Sequence, residues 1–266
     1  MTEPPLARLG APAAPDRHKL SFYPETRFGG FSDHDGTVAF YTRVNALLRP
    51  SSTVVDFGCG RGEHAEDTVE YRRNLRCFRG KVAKVIGLDV DEAGHGNPTL
   101  DEFVRIAPGE AWRLADRSVD MIVSDAVLEH LPEPHLFFRE ARRVLAESSF
   151  LCLRTTNLWG YVGMASKLVP NRLHAPVLGR VQGIREERDI FPTLYRCNTL
   201  GAVRRALQAS GFRAVVYGHT AEPNYLNFSK LAYALGVLHQ RTVPGTFGLT
   251  IFAFGQAIEP ADGGQS

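Results

Sequence analysis

Short apolar runs alternate with amphipathic stretches along this chain, as strands and helices do in a doubly wound sheet. The run Thr53-Val54-Val55-Asp56-Phe57 enters a turn with glycine at every second position, Gly58-Cys59-Gly60-Arg61-Gly62. Before it, Val38, Tyr41, Val44, Leu47 and Leu48 stand at helical spacing, so Thr37 to Leu48 is a predicted helix closed by Pro50. After it, Glu63 to Phe78 predicts a helix whose acids come early and whose arginines come late, the order that suits the helix dipole. Gly80 ends that helix, and Lys84 to Asp91 is a second buried strand finishing in acids.

The alternation continues. Val119 to Ser124 predicts a strand, Pro134 to Ala146 a helix and Ser149 to Asn157 another strand. Leu158 to Tyr195 is irregular and rich in glycine and proline, which marks an insertion. Asn198 is the expected cap of a helix from Thr199 to Ala209, and Gly211 its terminator. Phe212 to Tyr217 and Phe247 to Ala257 predict the last strands. Between them Phe228, Leu231, Leu235 and Leu238 form an apolar stripe at helical spacing. Core or homodimer packing explains such a stripe, and so does a docking face for a lipid-linked substrate.

Composition changes this picture little. With 266 residues, 44% of them apolar and 23% charged, the chain can bury one α/β core with room for an insertion. Residues 1–20 read as a disordered arm, 21–260 as the domain and 261–266 as a disordered tail. A net charge of +2 argues against wholesale nucleic-acid or membrane binding. Charge is nonetheless uneven: from Leu158 to Arg205, Lys167 and seven arginines face three acids. An anionic substrate group or a solvated basic face accounts for that concentration. Four scattered cysteines form neither a zinc pattern nor a disulfide framework, and no apolar stretch suits a signal peptide or a membrane span. A cytoplasmic enzyme is the expectation.

The glycine turn carries the candidate chemistry. A dinucleotide fingerprint needs G-x-G-x-x-G, and Glu63 occupies its third glycine position. The run is instead Asp-x-Gly-x-Gly-x-Gly, which resembles motif I of class I S-adenosylmethionine-dependent methyltransferases. The segment Ser124-Asp125-Ala126-Val127-Leu128-Glu129-His130-Leu131-Pro132 resembles motif IV of their type-11 and type-12 branch, and Thr155-Thr156-Asn157 is similar to the end of their fifth strand. The resemblance runs from about Thr37 to Asn157. It implies an α/β fold, a Rossmann-like doubly wound seven-stranded sheet of order 3-2-1-4-5-7-6, with a lid insertion (158–197) after strand five.

It also implies S-adenosylmethionine as cofactor and assigns roles to residues. Asp56, Gly58, Cys59 and Gly60 are expected to shape the pocket for the methionine moiety. Asp89, with Val90 beside it, is expected to hold the ribose hydroxyls, and Asp91 is the second choice. Glu110, Ala111 and Trp112 are expected to flank the adenine, although Trp112 reads equally well as a core anchor. Ser124 and Asp125 are expected to line the reaction edge. His130, just beyond strand four, is the first candidate for a general base, and a structural role for the Glu-His pair is the alternative. His34 and Asp35 in the aromatic loop follow, then His174 in the lid. Ala126 stands where a Glu-x-x-Glu-His metal pattern would need an acid, so no metal is expected.

Resemblance of the loop 27–37 and of the segment Asp189 to Thr199 to cell-envelope glycan and secondary-metabolite methyltransferases implies O-methylation of a sugar or small hydroxylated metabolite. Two rivals are an RNA methyltransferase using the basic insertion, which the sparse lysines argue against, and a non-catalytic S-adenosylmethionine-binding module.

Overall fold

The computed structural model describes residues 17–168 and 192–259. Most of the expected arm, the tail, the middle of the expected lid and His174 lie outside them. The helices are α1 (Arg17–Phe22), α2 (Gly36–Leu47), α3 (Glu70–Arg76), α4 (Pro134–Val144), α5 (Tyr161–Leu168), α6 (Leu200–Ala209) and α7 (Lys230–Thr242). The strands are β1 (Thr53–Phe57), β2 (Lys84–Asp89), β3 (Glu102–Arg105), β4 (Val119–Asp125), β5 (Leu145–Thr156), β6 (Phe212–His219) and β7 (Thr250–Ala257).

They form one sheet of order β3-β2-β1-β4-β5-β7-β6, the expected Rossmann-like topology. β7 runs antiparallel to both of its neighbours, and the remaining pairs are parallel. Because successive strand residues face opposite ways, adjacent positions build two different cores. Val55, Ile86, Leu88 and Ile122 pack under α4 and α6 with Phe138 and Leu207. Val54, Val85, Met121 and Val123 pack on the other face with Phe40 and Val44 of α2. Helices on both faces cover a sheet whose strand ends stay open to ligands.

Three local expectations need correction, and one open alternative drops out. The helix foreseen over Glu63 to Phe78 is broken: a 3-10 turn covers Glu63–Glu66, and α3 begins only at Glu70. Asp67 is the reason, since its carboxylate accepts from the Val69 backbone N–H at 2.9 Å and turns the chain. The cap of α6 is Thr199, whose hydroxyl accepts from the Ala202 N–H, while the Asn198 side-chain amide donates to Thr155 Oγ1 at 2.7 Å. Part of the expected arm is folded, because α1 packs on α7 and Lys19 pairs with Glu222 at 2.8 Å. The apolar stripe of α7 is exposed and does not enter the core.

Candidate active site

The carboxyl ends of β1, β2 and β4 converge on the glycine turn, at the point where strand order reverses. Gly58 has φ +76°, and a Cβ there would lie 2.3 Å from Val127 Cγ2. Internal packing therefore excludes every other residue at this position. Gly60 has φ +50°, but a Cβ on it would meet nothing within 4 Å. Space lies beside Gly60 and not beside Gly58, so Gly60 marks the side from which a ligand can approach. Asp89 at the tip of β2 accepts from the Gly60 N–H at 2.8 Å and from the Asp91 N–H at 3.0 Å, which ties the acid to the turn. Val90 next to it is exposed and offers an apolar wall. The Asp56 carboxyl is pushed up to about 7, first by burial, with Asp125 and Asp89 raising it and Arg76 opposing.

The adenine expectations divide. Glu110 and Ala111 sit exposed in a turn closed by the Glu110 N–H on the Ala107 carbonyl at 3.2 Å. Trp112 is only 6% exposed and packs between Phe57 and Phe137, with ring centroids at 5.1 and 5.9 Å. Its backbone is held by Glu140 and Arg143. Of the two readings of Trp112, this geometry is that of the core anchor. It supports the floor beneath β1 and leaves little ring face for a purine.

At the reaction edge Ser124 is buried, and Asp125 is enclosed by cations. Arg154 of β5 grips both Asp125 oxygens at 2.5 Å, the Tyr41 hydroxyl donates at 3.0 Å, and Arg76 stands 3.7 Å away. Burial raises the Asp125 carboxyl, but Arg154 and Arg76 outweigh it and hold it below the ordinary range. The network extends outward, for Arg154 donates to Thr37 Oγ1 and Arg72 bridges Asp35 at 3.0 Å to Asp67 at 2.5 Å. Asp35 also caps α2 by accepting from the Thr37 and Val38 N–H groups. Both of its oxygens are engaged, so Asp35 anchors the aromatic loop and is poorly suited to proton transfer. This is a correction to its expected place among the bases.

His130 ends a 3-10 turn after β4, and its Nδ1 donates to the Pro192 carbonyl at 3.0 Å. Its neighbour Glu129 is buried and accepts from the Thr155 and Thr156 hydroxyls at 2.6 and 2.9 Å. The Glu-His pair thus joins β4 to β5 and to the segment after the insertion. His34 is half-exposed on its loop, its ring edge-on to Tyr23. Reading the sequence passed over Arg76, Arg154 and His64. The Nε of Arg76 and the Nε2 of His64 are buried without a hydrogen-bond partner, and His64 is lowered to about 4 by burial and by Arg76. Among the described residues no group of His, Cys, Asp and Glu could hold a metal.

Residues 55–153 match the family model described as a methyltransferase domain. A methyltransferase of Archaeoglobus fulgidus described as dependent on S-adenosylmethionine shares the fold at TM-score 0.53 and 15% identity, with 87% of this chain and 97% of that one covered. The YcgJ protein of Bacillus subtilis does so at 0.51 and 14%, covering 84% and 99%. A chain from the complex of the Haloferax volcanii Trm112 methyltransferase activator with a methyltransferase does so at 0.50 and 16%, covering 93% and 99%. No curated protein matches the chain. Residues 55–153 thus match a methyltransferase domain, and the chain shares the fold of solved S-adenosylmethionine-dependent methyltransferases.

A methyltransferase domain of this fold implies S-adenosylmethionine as cofactor, and the residues present fit it. The open side of Gly60 admits a ligand to the backbone. The unpartnered Arg76 Nε and His64 Nε2 are buried polar atoms of the kind that a bound carboxylate or water satisfies. Asp89 keeps lone pairs for ribose hydroxyls while holding the turn.

Proposed function

We propose that the enzyme methylates a hydroxyl oxygen of a sugar or small hydroxylated metabolite, in the cytoplasm, with His130 as general base. The observation that carries this reading is the hydrogen bond from His130 Nδ1 to the Pro192 carbonyl. A carbonyl only accepts, so Nδ1 bears a proton and Nε2 is the nitrogen left to act as a base. That is the tautomer a base needs. Asp125 cannot compete for the role, because Arg154 and Arg76 hold it ionised and occupied.

Bound S-adenosylmethionine supplies a methyl group activated by a positively charged sulfur. Asp56, Gly60 and Asp89 would position it. His130 Nε2 would take the proton of the acceptor hydroxyl, which would leave that oxygen free to receive the methyl group. In-line alignment contributes much of the rate, so the frame around the base matters as much as the base. The Glu129 carboxylate, locked by two threonines, fixes the turn that carries His130. The four cysteines are free thiols, which supports a reducing compartment.

The test is label transfer from methyl-labelled S-adenosylmethionine to separate pools of sugars and sugar nucleotides, hydroxylated metabolites, amines and RNA. Label in a hydroxylated pool is expected. Labelled RNA or amine as the sole product overturns the assignment, and no transfer to any pool favours a binding module. His130→Gln should lower kcat on the order of 100-fold or more with cofactor affinity retained. An unchanged kcat removes His130 from the reaction.

A further inference from the structure

Helix α7 is an excursion on the ligand edge of the sheet. It leaves β6 after His219 and returns to β7 at Thr250, and those two residues pair with each other. Thr250 also pairs with Thr156 at the carboxyl end of β5, two positions beyond Arg154. Both ends of α7 therefore belong to the edge that carries Asp89 and Asp125.

The inner face of this helix is fully used. Tyr233, Gly236 and Val237 are buried, and Tyr233 and Val237 form a small core with Tyr23. The Tyr23 hydroxyl donates to Gln240 at 2.6 Å, and a Cβ on Gly236 would lie 2.4 Å from Pro223. The outer face is the reverse. Leu231, Leu235 and Leu238 follow i, i+4, i+7 spacing directly opposite the buried residues, at 72, 58 and 57% exposure, and Phe228 just before the helix is 68% exposed. Three leucines in one ridge, with an exposed phenylalanine just before it in the chain, form an apolar patch and not scattered surface residues.

Charge identifies what covers it. Residues 223–258 contain no acid, in a chain that carries 29. Lys230 and Arg241 are exposed near the two ends of α7, eleven residues and hence three turns apart, so they lie on one flank of the ridge. A leucine and phenylalanine ridge edged by cations is the pattern of helices that lie in an anionic membrane surface. A second copy of the chain fits less well. A twofold interface is self-complementary, so each basic flank would need acids from the same patch, and residues 223–258 supply none. The ridge also exposes on the order of 500 Å², short of the roughly 800 Å² each partner gives a standard interface. No helix of the described residues is long and apolar enough to cross a membrane, so any contact here is made from the surface.

We propose that the outer face of α7 docks on an anionic lipid bilayer. Phe228, Leu231, Leu235 and Leu238 enter the acyl boundary, and Lys230 and Arg241 meet lipid phosphates. The inference stands on this face alone and not on the acceptor proposed above.

Sedimentation of the full chain with vesicles of phosphatidylcholine, with or without phosphatidylglycerol, tests it. The wild type should pellet with the mixed vesicles and partition at least about tenfold less onto phosphatidylcholine alone. Leu231→Asp with Leu235→Asp should lower partitioning by about tenfold or more, and Lys230→Glu with Arg241→Glu should erase the preference for phosphatidylglycerol. Calorimetric binding of S-adenosylhomocysteine, equal in wild type and variants, shows that the fold is retained. The charge pair keeps the test decisive if the aspartates unfold the helix. Wild-type protein left in the supernatant with both vesicles overturns the proposal. So does a dimer, seen by light scattering, that the aspartates dissolve while no vesicle binds.

Discussion

Two neighbouring strand ends meet the same edge of the sheet in opposite states. At β1 the glycine turn leaves room beside Gly60, a carboxyl at Asp56 raised by burial, and buried nitrogens on His64 and Arg76 without partners. At β4 the Asp125 carboxylate is closed off by Arg154, Arg76 and Tyr41, and the network runs on to Asp35 and Asp67. The open end has space and polar atoms that a ligand can satisfy. The closed end supplies its own counterions and behaves as a fixed wall. Placement at the carboxyl edge of a parallel sheet makes a residue a candidate; whether its charge is already answered decides what it can do.

The largest effect should come from breaking the wall. Arg154→Met leaves Asp125 buried without its bidentate partner, and should cost about 3–5 kcal/mol in urea unfolding. Adding Asp125→Leu should recover most of that loss. A single variant within about 1 kcal/mol of wild type would show that the pair is not what closes this end.

The two glycines sharpen the contrast. Gly58→Ala meets Val127 and a left-handed backbone together, and should cost roughly 2–4 kcal/mol of stability, partly restored by Val127→Ala. Gly60→Ala meets only the backbone term, about 1–2 kcal/mol, yet should weaken cofactor binding far more than stability. Equal stability losses at the two positions would contradict the open side assigned to Gly60.

Asp89→Ala should weaken S-adenosylmethionine and S-adenosylhomocysteine alike by about 1–3 kcal/mol in calorimetry, the scale of a charge-assisted hydrogen-bonding site. If both ligands bind unchanged, the ribose contact lies elsewhere.

The last effect emerges only as pH changes. The folded Asp56 carboxyl is raised from 3.8 to about 7, so the fold favours its protonated form. The associated stability is complete below the unfolded value near 3.8 and disappears as pH rises through about 7. Thermal melts should therefore show Asp56→Asn gaining on wild type between pH 5 and pH 8. A difference that does not vary with pH would mean that Asp56 is solvated like any surface acid.

How much of this was legible depended on range. The turn at Gly58 to Gly62, the acid ending β2 and the strand leading to Asp125 could be read because each is a local pattern with a local cause. Arg76 and Arg154 could not be read, for an arginine late in a helical pattern looks like a dipole partner and one in a strand looks like a surface residue. Their meaning comes from Asp125, 49 and 29 positions away. Asp35 was legible as a polar loop residue, but its role as the cap of α2 bound to Arg72 needed the packing of α3 against α2. The break at Asp67 was hidden because helical periodicity resumes at Glu70.

Local chemistry along the chain thus determined the elements, their order and the positions where a ligand could be met, since strand propensity, glycine turns and amphipathic spacing act within a few residues. Tertiary structure alone decided which of those positions are free. It buried Trp112, paired Asp125 with Arg154, tied His130 to Pro192 and turned the leucines of α7 outward. Each of these depends on a partner dozens of residues away or on the side of a helix that the core leaves uncovered. Neither the satisfaction of a charge nor the exposure of an apolar face is a property of one segment.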